Sequence, residues 1–447
     1  MKRKIYDKLV EWKTRNGESA LLVKGARRVG KSYITEEFAK KEYKSYIRID
    51  FNDISDDTLN LILDNLHDRD RLFSYLQLSF KTKLYERESL ILFDEIQLCP
   101  KVRAAIKYLV ADHRYDYIET GSLLSIAKNV EDIVIPSEEE SIELEPLDFE
   151  EFLWAKGEDM LIEYIKECYN TKKQLDQHIH RNVMKLFREY MVLGGMPQVV
   201  KKYIETNDFN LADREKTNIL TLYRNDIAKH AGSYTLKVQN IFDAIPSELS
   251  KHERKFCLAD LEKNARMRDF IEPFSWLQDA RFVNLCFGST EPSLGLAINE
   301  DRTSIKCYMG DTGLLYSIAF TSIEEKTDVY MKIINGKLEI NEGMFMENIV
   351  AQMLKASGHR LYFYSKHSSE KEDRMELDFL IPKNNITSRH NINFIEVKSG
   401  ERYTLSSLKK AAKKYSEHMN KAIVLHPDNL TEKDGILFLP LYMTGLL

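Results

Sequence analysis

Gly25-Ala26-Arg27-Arg28-Val29-Gly30-Lys31-Ser32 sets two glycines, a lysine and a hydroxyl at the spacing of a loop that wraps a phosphate chain. Gly25 and Gly30 let the backbone approach an anion, and a helix opening after Gly30 aims its free N–H groups at that anion. Lys31 is expected to reach β- and γ-phosphates, and the Ser32 hydroxyl to ligate Mg²⁺. Arg27, Arg28, Val29 and Tyr33 complete the nucleotide-contacting stretch. An apolar strand (Ala20 to Val23) precedes the loop, as that mechanism requires, so a chance glycine turn is a poor account of it.

A second element agrees. Leu90-Ile-Leu-Phe-Asp94-Glu95 is an apolar run ending in two carboxylates. A buried parallel strand delivers Asp94 at its C-terminal end, where open α/β sheets bind ligands, so Asp94 is expected to hold Mg²⁺. Glu95 is then placed to orient or deprotonate the attacking water. Tyr117-Ile-Glu-Thr-Gly-Ser122 is a further strand that would bring Thr120 or Ser122 beside the γ-phosphate, although a Ser after Gly is often only a turn former.

The end of the chain carries a separate set. From Gly343 onward, Gly343, Val350, Ala351 and Leu354 fall on one helical face with Glu347 in its middle. A carboxylate so placed must be paired, protonated or bound. Strand-like alternation puts Glu376 and Asp378 on one side, and later Glu396 and Lys398 on one side. A Lys-rich helix from Ser406 to Asn420 follows, with Lys409, Lys410, Lys413 and Lys414 beside Tyr415. Acids and lysines are common on solvated strand and helix faces, so no one of these is specific alone.

These residues must sit on particular elements. The first 125 residues alternate strands and helical stretches, which implies a parallel α/β sheet covered on both faces. Residues 131 to 152 hold ten Asp or Glu and no Lys or Arg. A helical region from about 153 to 230 is broken by Gly194-Gly195-Met196-Pro197, a tight turn. Residues 236 to 290 read as a winged helix, with helices over Val238 to Ile245, Phe256 to Ala265 and Arg268 to Asp279, then strand Phe282 to Phe287. Arg266 and Arg268 are offset there by Glu262 and Asp269, so protein packing and DNA contact stay equally open. The tail returns to α/β.

GARRVGKS, LILFDEIQLCP and IETGSLLSI resemble the prokaryotic AAA-type P-loop ATPases whose C-terminal half has no assigned role. Tyr190 to Val200, Tyr223 to Ile227, Asp311 to Leu315 and Glu347 to Val350 resemble the same family in the same order. The resemblance implies ATP and Mg²⁺ as cofactors. That family has a Gly-Arg pair before the segment matching Leu144-Glu-Pro-Leu-Asp-Phe149. Here the preceding stretch is Ser137-Glu-Glu-Glu-Ser141, so no arginine contact to a transition state is drawn from it. Arg27, Arg28 and Arg224 are the other cations considered, with surface solvation their expected fate. The ordered set of Glu347, Asp378 and Glu396-x-Lys398 is similar to the PD-(D/E)xK, or restriction-endonuclease-like, fold. That resemblance implies Asp378 and Glu396 on Mg²⁺, Glu347 on a second ion or water, and Lys398 activating the water that attacks a phosphodiester.

At 447 residues the chain is too long for one compact domain. The expected division is an ATPase domain (1–155), a helical connector (156–230), a winged-helix-like region (231–334) and a nuclease-like α/β domain (335–447). With 43% hydrophobic residues, 18 Gly and 10 Pro, the composition excludes a disordered or collagen-like chain. No apolar run is long enough to span a bilayer, and the basic N-terminus lacks the apolar stretch of a secretory signal. Five scattered cysteines without a CxxC pair read as reduced cytoplasmic thiols. The net charge of −5 argues against wholesale polyanion binding while leaving room for a local basic face. His178 and His180 point different ways along a helix, so they make a poor metal pair, with surface or capping roles expected. The expectation is an ATPase with ATP and DNA as partners and self-association allowed. A nucleotide-gated scaffold whose C-terminal domain binds a protein is the alternative.

Overall fold

The computed structural model describes residues 1–121, 137–293, 295–321, 326–337, 342–370, 372–383, 390–400 and 403–447. Ser122 lies outside the described residues. The chain divides into two compact units, 1–145 with 279–281, and 146–278 with 282–447.

The first unit is built on five parallel strands: β1 (Ala20–Gly25), β2 (Ser45–Asp50), β3 (Ser89–Asp94), β4 (Asp116–Gly121) and β5 (Glu139–Leu144). Their order is β2-β3-β4-β1-β5. Alternation explains the layering. Leu21 and Val23 join Leu90 and Leu92 beneath Leu9, Trp12, Ile34 and Phe38 of the helices Ile5–Thr14 and Lys31–Glu42. Ala20 and Leu22 face the other way, with Ile91, Phe93 and Tyr117, under Val102 and Ile106 of helix Pro100–Ala111. Both faces are thus covered, as buried parallel strands require.

The second unit holds eight strands: β6 (Val283–Ser289), β7 (Glu300–Met309), β8 (Tyr362–Lys366), β9 (Met375–Pro382), β10 (Ile392–Val397), β11 (Met419–His426), β12 (Thr431–Lys433) and β13 (Ile436–Pro440). Their order is β12-β13-β11-β10-β9-β8-β6-β7. The expected boundary near 335 falls within one compact unit. β6, expected as the strand of the winged helix, pairs in parallel with β8, and the sheet runs on unbroken to β13. The middle helix of that expected region is also absent: around Leu258–Asp260 the backbone makes only a 3₁₀ turn, and Asn264 has a left-handed φ of 65°. The Lys-rich helix is shorter than expected, covering Ser406–Lys414, because β11 begins at Met419.

Gly194-Gly195 and Asp311-Thr-Gly meet in the middle of this unit. Gly195 N–H donates to Asp311 Oδ2 at 2.6 Å, and Asp311 Oδ1 caps helix Thr312–Ala319 through Leu314 N–H at 3.0 Å. A Cβ at Gly195 would strike the Leu147 carbonyl, and one at Gly313 the Leu193 carbonyl, so close backbone approach demands glycine at both. His180 is buried rather than on the surface, with Nδ1 2.9 Å from the Tyr442 hydroxyl. Four cysteines are buried, Cys257 is exposed, and all five are free.

Candidate functional site

The loop after β1 is shaped by its glycines. Gly30 holds φ at 96° immediately before helix Lys31–Glu42, and Arg28 also adopts a left-handed φ of 69°. Gly25 passes so close to the Leu144 carbonyl that no Cβ fits. Val29 is buried, while Arg27, Arg28 and Tyr33 are exposed on the loop and first helical turn. The Lys31 ammonium is buried and donates to the carbonyl oxygens of Gly25 (3.1 Å) and Ala26 (3.0 Å). Burial pulls its pKa down, against the opposing attraction of Glu95 and Asp94.

Asp94, at the end of β3, collects partners from two neighbouring strands and a helix. Its Oδ1 accepts from the Ser32 hydroxyl at 2.8 Å and from the Thr120 hydroxyl, and its Oδ2 accepts from Arg48 Nε at 3.2 Å and Nη2 at 2.5 Å. Thr120 also accepts from the Glu95 N–H at 3.2 Å. Glu95 ends β3 in a left-handed conformation, φ 56°, which turns its carboxylate off the strand axis toward Gln97, whose side-chain amide donates to it. The expected residues Lys31, Ser32, Asp94 and Glu95 therefore surround one end of the sheet, and Thr120 joins them. A hydroxyl and a carboxylate are hard oxygen donors of the kind Mg²⁺ takes, so Ser32 and Asp94 fit that ion. Arg48 was not anticipated. The only signal for it is the alternation of SYIRID, which sets Arg48 and Asp50 on one side of a strand that neighbours β3.

Residues 17–153 match the family described as AAA domain. The N-terminal unit is an AAA-type ATPase domain. Downstream of the AAA domain, residues 184–327 and 342–443 match two domains of unknown function, DUF8612 and DUF4143. No curated protein sequence matches the chain. Among solved structures, the chain is similar to the Walker-type ATPase PABY2304 of Pyrococcus abyssi, at 14% identity, covering 71% of this chain and 96% of that one, with a TM-score of 0.41. It is also similar to the Aeropyrum pernix Orc1 protein in complex with DNA (10% identity, 74% and 95% covered, TM-score 0.27). Cdc6p of Pyrobaculum aerophilum is a third (14% identity, 76% and 96% covered, TM-score 0.23). None of the helices among the described residues is long and apolar enough to cross a membrane.

In the second unit, Glu347 lies fully buried in helix Glu342–Ala356. Its carboxylate is taken by Arg254 Nη1, by the Tyr308 hydroxyl and by Lys306 Nζ at 3.2 Å. Lys306 also lies 3.1 Å from Glu376 and 3.7 Å from Asp378. The other oxygen of Asp378 accepts from Val397 N–H at 2.8 Å. Burial opposes ionisation of Glu347, but Lys306 and Arg254 outweigh it and hold the carboxyl below its usual range. Burial lowers the pKa of Lys306 less than Glu347, Asp378 and Glu376 raise it, so it stays an ammonium.

The set expected to take Mg²⁺ is thus already answered by protein cations. Among the described residues no group of three His, Cys, Asp or Glu is placed to hold a metal. Lys306 stands where Glu347, Glu376 and Asp378 converge, while Glu396, the expected partner of Asp378 on Mg²⁺, meets Lys398. Lys306, Arg254 and Tyr308 are the residues that sequence patterns missed. Their faint signal is a strand, Ile305 to Met309, in which Lys306 and Tyr308 share the side opposite Ile305 and Cys307.

Glu396 and Lys398 do pair, at 3.1 Å. Burial pushes the Glu396 carboxyl up to about 7, with Lys398 opposing. The unfolded carboxyl loses its proton near 4.5, so between that value and about 7 the folded state holds the extra proton. Stability therefore falls as pH rises through this window and levels off above it. Glu396→Gln removes that loss, on the order of 3 kcal/mol at most. Its unfolding midpoint should exceed that of the unsubstituted chain at about pH 8 and approach it near pH 4.5. Thermal melts across that range check this, and a gap independent of pH contradicts it.

Proposed function

We propose that this chain is a Mg²⁺-dependent ATPase whose nucleotide state controls a C-terminal, nuclease-like module that grips nucleic acid without cutting it. The observation that carries the ATPase reading is the 2.8 Å bond between Ser32 and Asp94. Two motifs 62 residues apart bring together the hydroxyl and carboxylate that the chemistry needs. When bound, Mg²⁺ would neutralise charge on the phosphates from these oxygens. The chain's own groups do the rest. Lys31 and the N–H groups of the loop hold the phosphates, Thr120 and Arg48 fix the Asp94 carboxylate, and Glu95 accepts the proton of the attacking water. Tyr33 and the loop arginines lie on the exposed side of the same turn.

For the module, Lys306 favours the non-cutting form over the endonuclease implied by Asp378, Glu396 and Lys398. A phosphodiesterase centre needs carboxylates open to a metal, and these are engaged. The test is incubation of the full chain with supercoiled plasmid and Mg²⁺, with and without ATP, beside Lys398→Ala. No nicking is expected in any condition. Nicking that disappears with Lys398→Ala contradicts the non-cutting reading. A module that instead docks a protein would leave nucleic acid unbound in the same mixtures.

A further inference from the structure

On the C-terminal unit a cavity of about 340 Å³ opens beside β8, β9 and the start of helix Ser406–Lys414. Its cations come from three separate segments: Lys366 on β8, Arg374 just before β9, and Lys410 on the helix. Hydroxyls from Ser365, Ser406 and Ser407 stand among them. Among the described residues no carboxylate pairs with the Arg374 guanidinium. Lys366 and Lys414 share Asp373, at 3.2 and 2.6 Å, with all three side chains about a third exposed, surface pairs that a stronger anion can displace at little cost. Two acids also line the space. Glu376 is already engaged by Lys306, and Glu253 is exposed and 3.9 Å from His367.

Hydroxyls and mixed lysine and arginine donors around a space this size suit a phosphate group: arginine binds it bidentately and lysine as a point charge. The helix adds to the same end, since Ser406 and Ser407 open it and Leu405 supplies no side-chain cap to its leading N–H groups. The charge does not stop at the cavity. Lys410 Nζ also donates to the Arg374 carbonyl at 3.3 Å, and Lys413, with Lys414 on its Asp373 partner, continues the charge one helical turn, roughly 5.4 Å, beyond it. A row of cations leading out of a cavity fits a chain of phosphates better than a lone ion.

We propose that this cavity is a phosphate site by which the C-terminal unit holds a nucleic-acid strand through its backbone. The inference deepens the gripping role given above and rests on it, but requires neither ATP hydrolysis nor cleavage. It is tested on the full chain without nucleotide and in EDTA, so that failure of the ATPase reading leaves the result untouched. A fluorescein-labelled 20-nucleotide DNA strand is titrated and its anisotropy followed at several salt concentrations. Binding should weaken steeply with salt. Arg374→Ala with Lys410→Ala should lower affinity roughly ten-fold or more and reduce the salt slope by about two. Lys173→Ala, an exposed charge of the same unit away from the cavity, controls for loss of charge alone and should bind as the unsubstituted chain does. Thermal melts of the double variant establish that it is folded, and Arg374→Lys should restore part of the affinity. Three outcomes overturn the proposal. They are no strand binding by the unsubstituted chain, equal binding by the folded double variant, or displacement by AMP, inorganic phosphate or polyglutamate as readily as by unlabelled strand.

Discussion

Lys306→Met is expected to destabilise the second unit by about 3–5 kcal/mol, because Asp378 and Glu376 lose their cation and Glu347 keeps only Arg254. The side chain is fully buried and serves Glu347, Glu376 and Asp378 together. Met has similar bulk, so the cost is electrostatic rather than a void. A loss of this size should lower the calorimetric midpoint by roughly 5–15 °C. Adding Asp378→Asn should restore a large part of it, since Asp378 is the carboxylate left facing the lost ammonium while Glu347 keeps Arg254. A Lys306→Met midpoint within a degree of the unsubstituted chain, or no recovery in the double variant, contradicts the arrangement.

Glu95→Gln is expected to keep nucleotide binding and lose hydrolysis by roughly 10²–10⁴-fold, the range of a general base. Gln preserves size and still meets Gln97, while its amide cannot take a proton from water. The left-handed turn at Glu95 and its N–H bond to Thr120 are backbone features that survive the substitution. Binding is read with a fluorescent ATP analogue and turnover by phosphate release. A rate within a few-fold of the unsubstituted chain would remove Glu95 from the proposed chemistry.

What the sequence could show follows from how far apart the cooperating residues lie. The phosphate loop is contiguous, and its glycines, lysine and serine are each demanded by one local geometry, so eight residues suffice to recognise it. Asp94 is recognisable because a buried strand ends on it. The alternation within β1 and β3 likewise fixes which side chains face each layer of the first unit. Lys306 and Arg254 are different. They lie 41 and 93 residues from Glu347 and meet it only because β7 and the turn before Phe256 pack on the same helix. Glu347 itself announced a need for partners, since an acid on an apolar helical face must be answered, but periodicity cannot name them. The same limit explains the division of the chain. Strand Phe282 to Phe287 was visible as a strand, while its pairing with β8, some 75 residues on, is a property of the folded sheet. Arg48 shows the limit within the AAA domain, where a basic residue on an alternating strand gives no hint that its neighbour is Asp94.

The central claim is that the loop at Lys31 and the strand end at Asp94 form a working ATPase. Steady-state phosphate release from ATP by the full chain, with Mg²⁺ and with EDTA, beside Lys31→Ala, tests it most directly. Turnover in Mg²⁺ that vanishes in EDTA and falls on the order of 10²-fold or more in Lys31→Ala is the predicted result. Hydrolysis that persists at the same rate in Lys31→Ala, or its absence from the unsubstituted chain, would contradict the account.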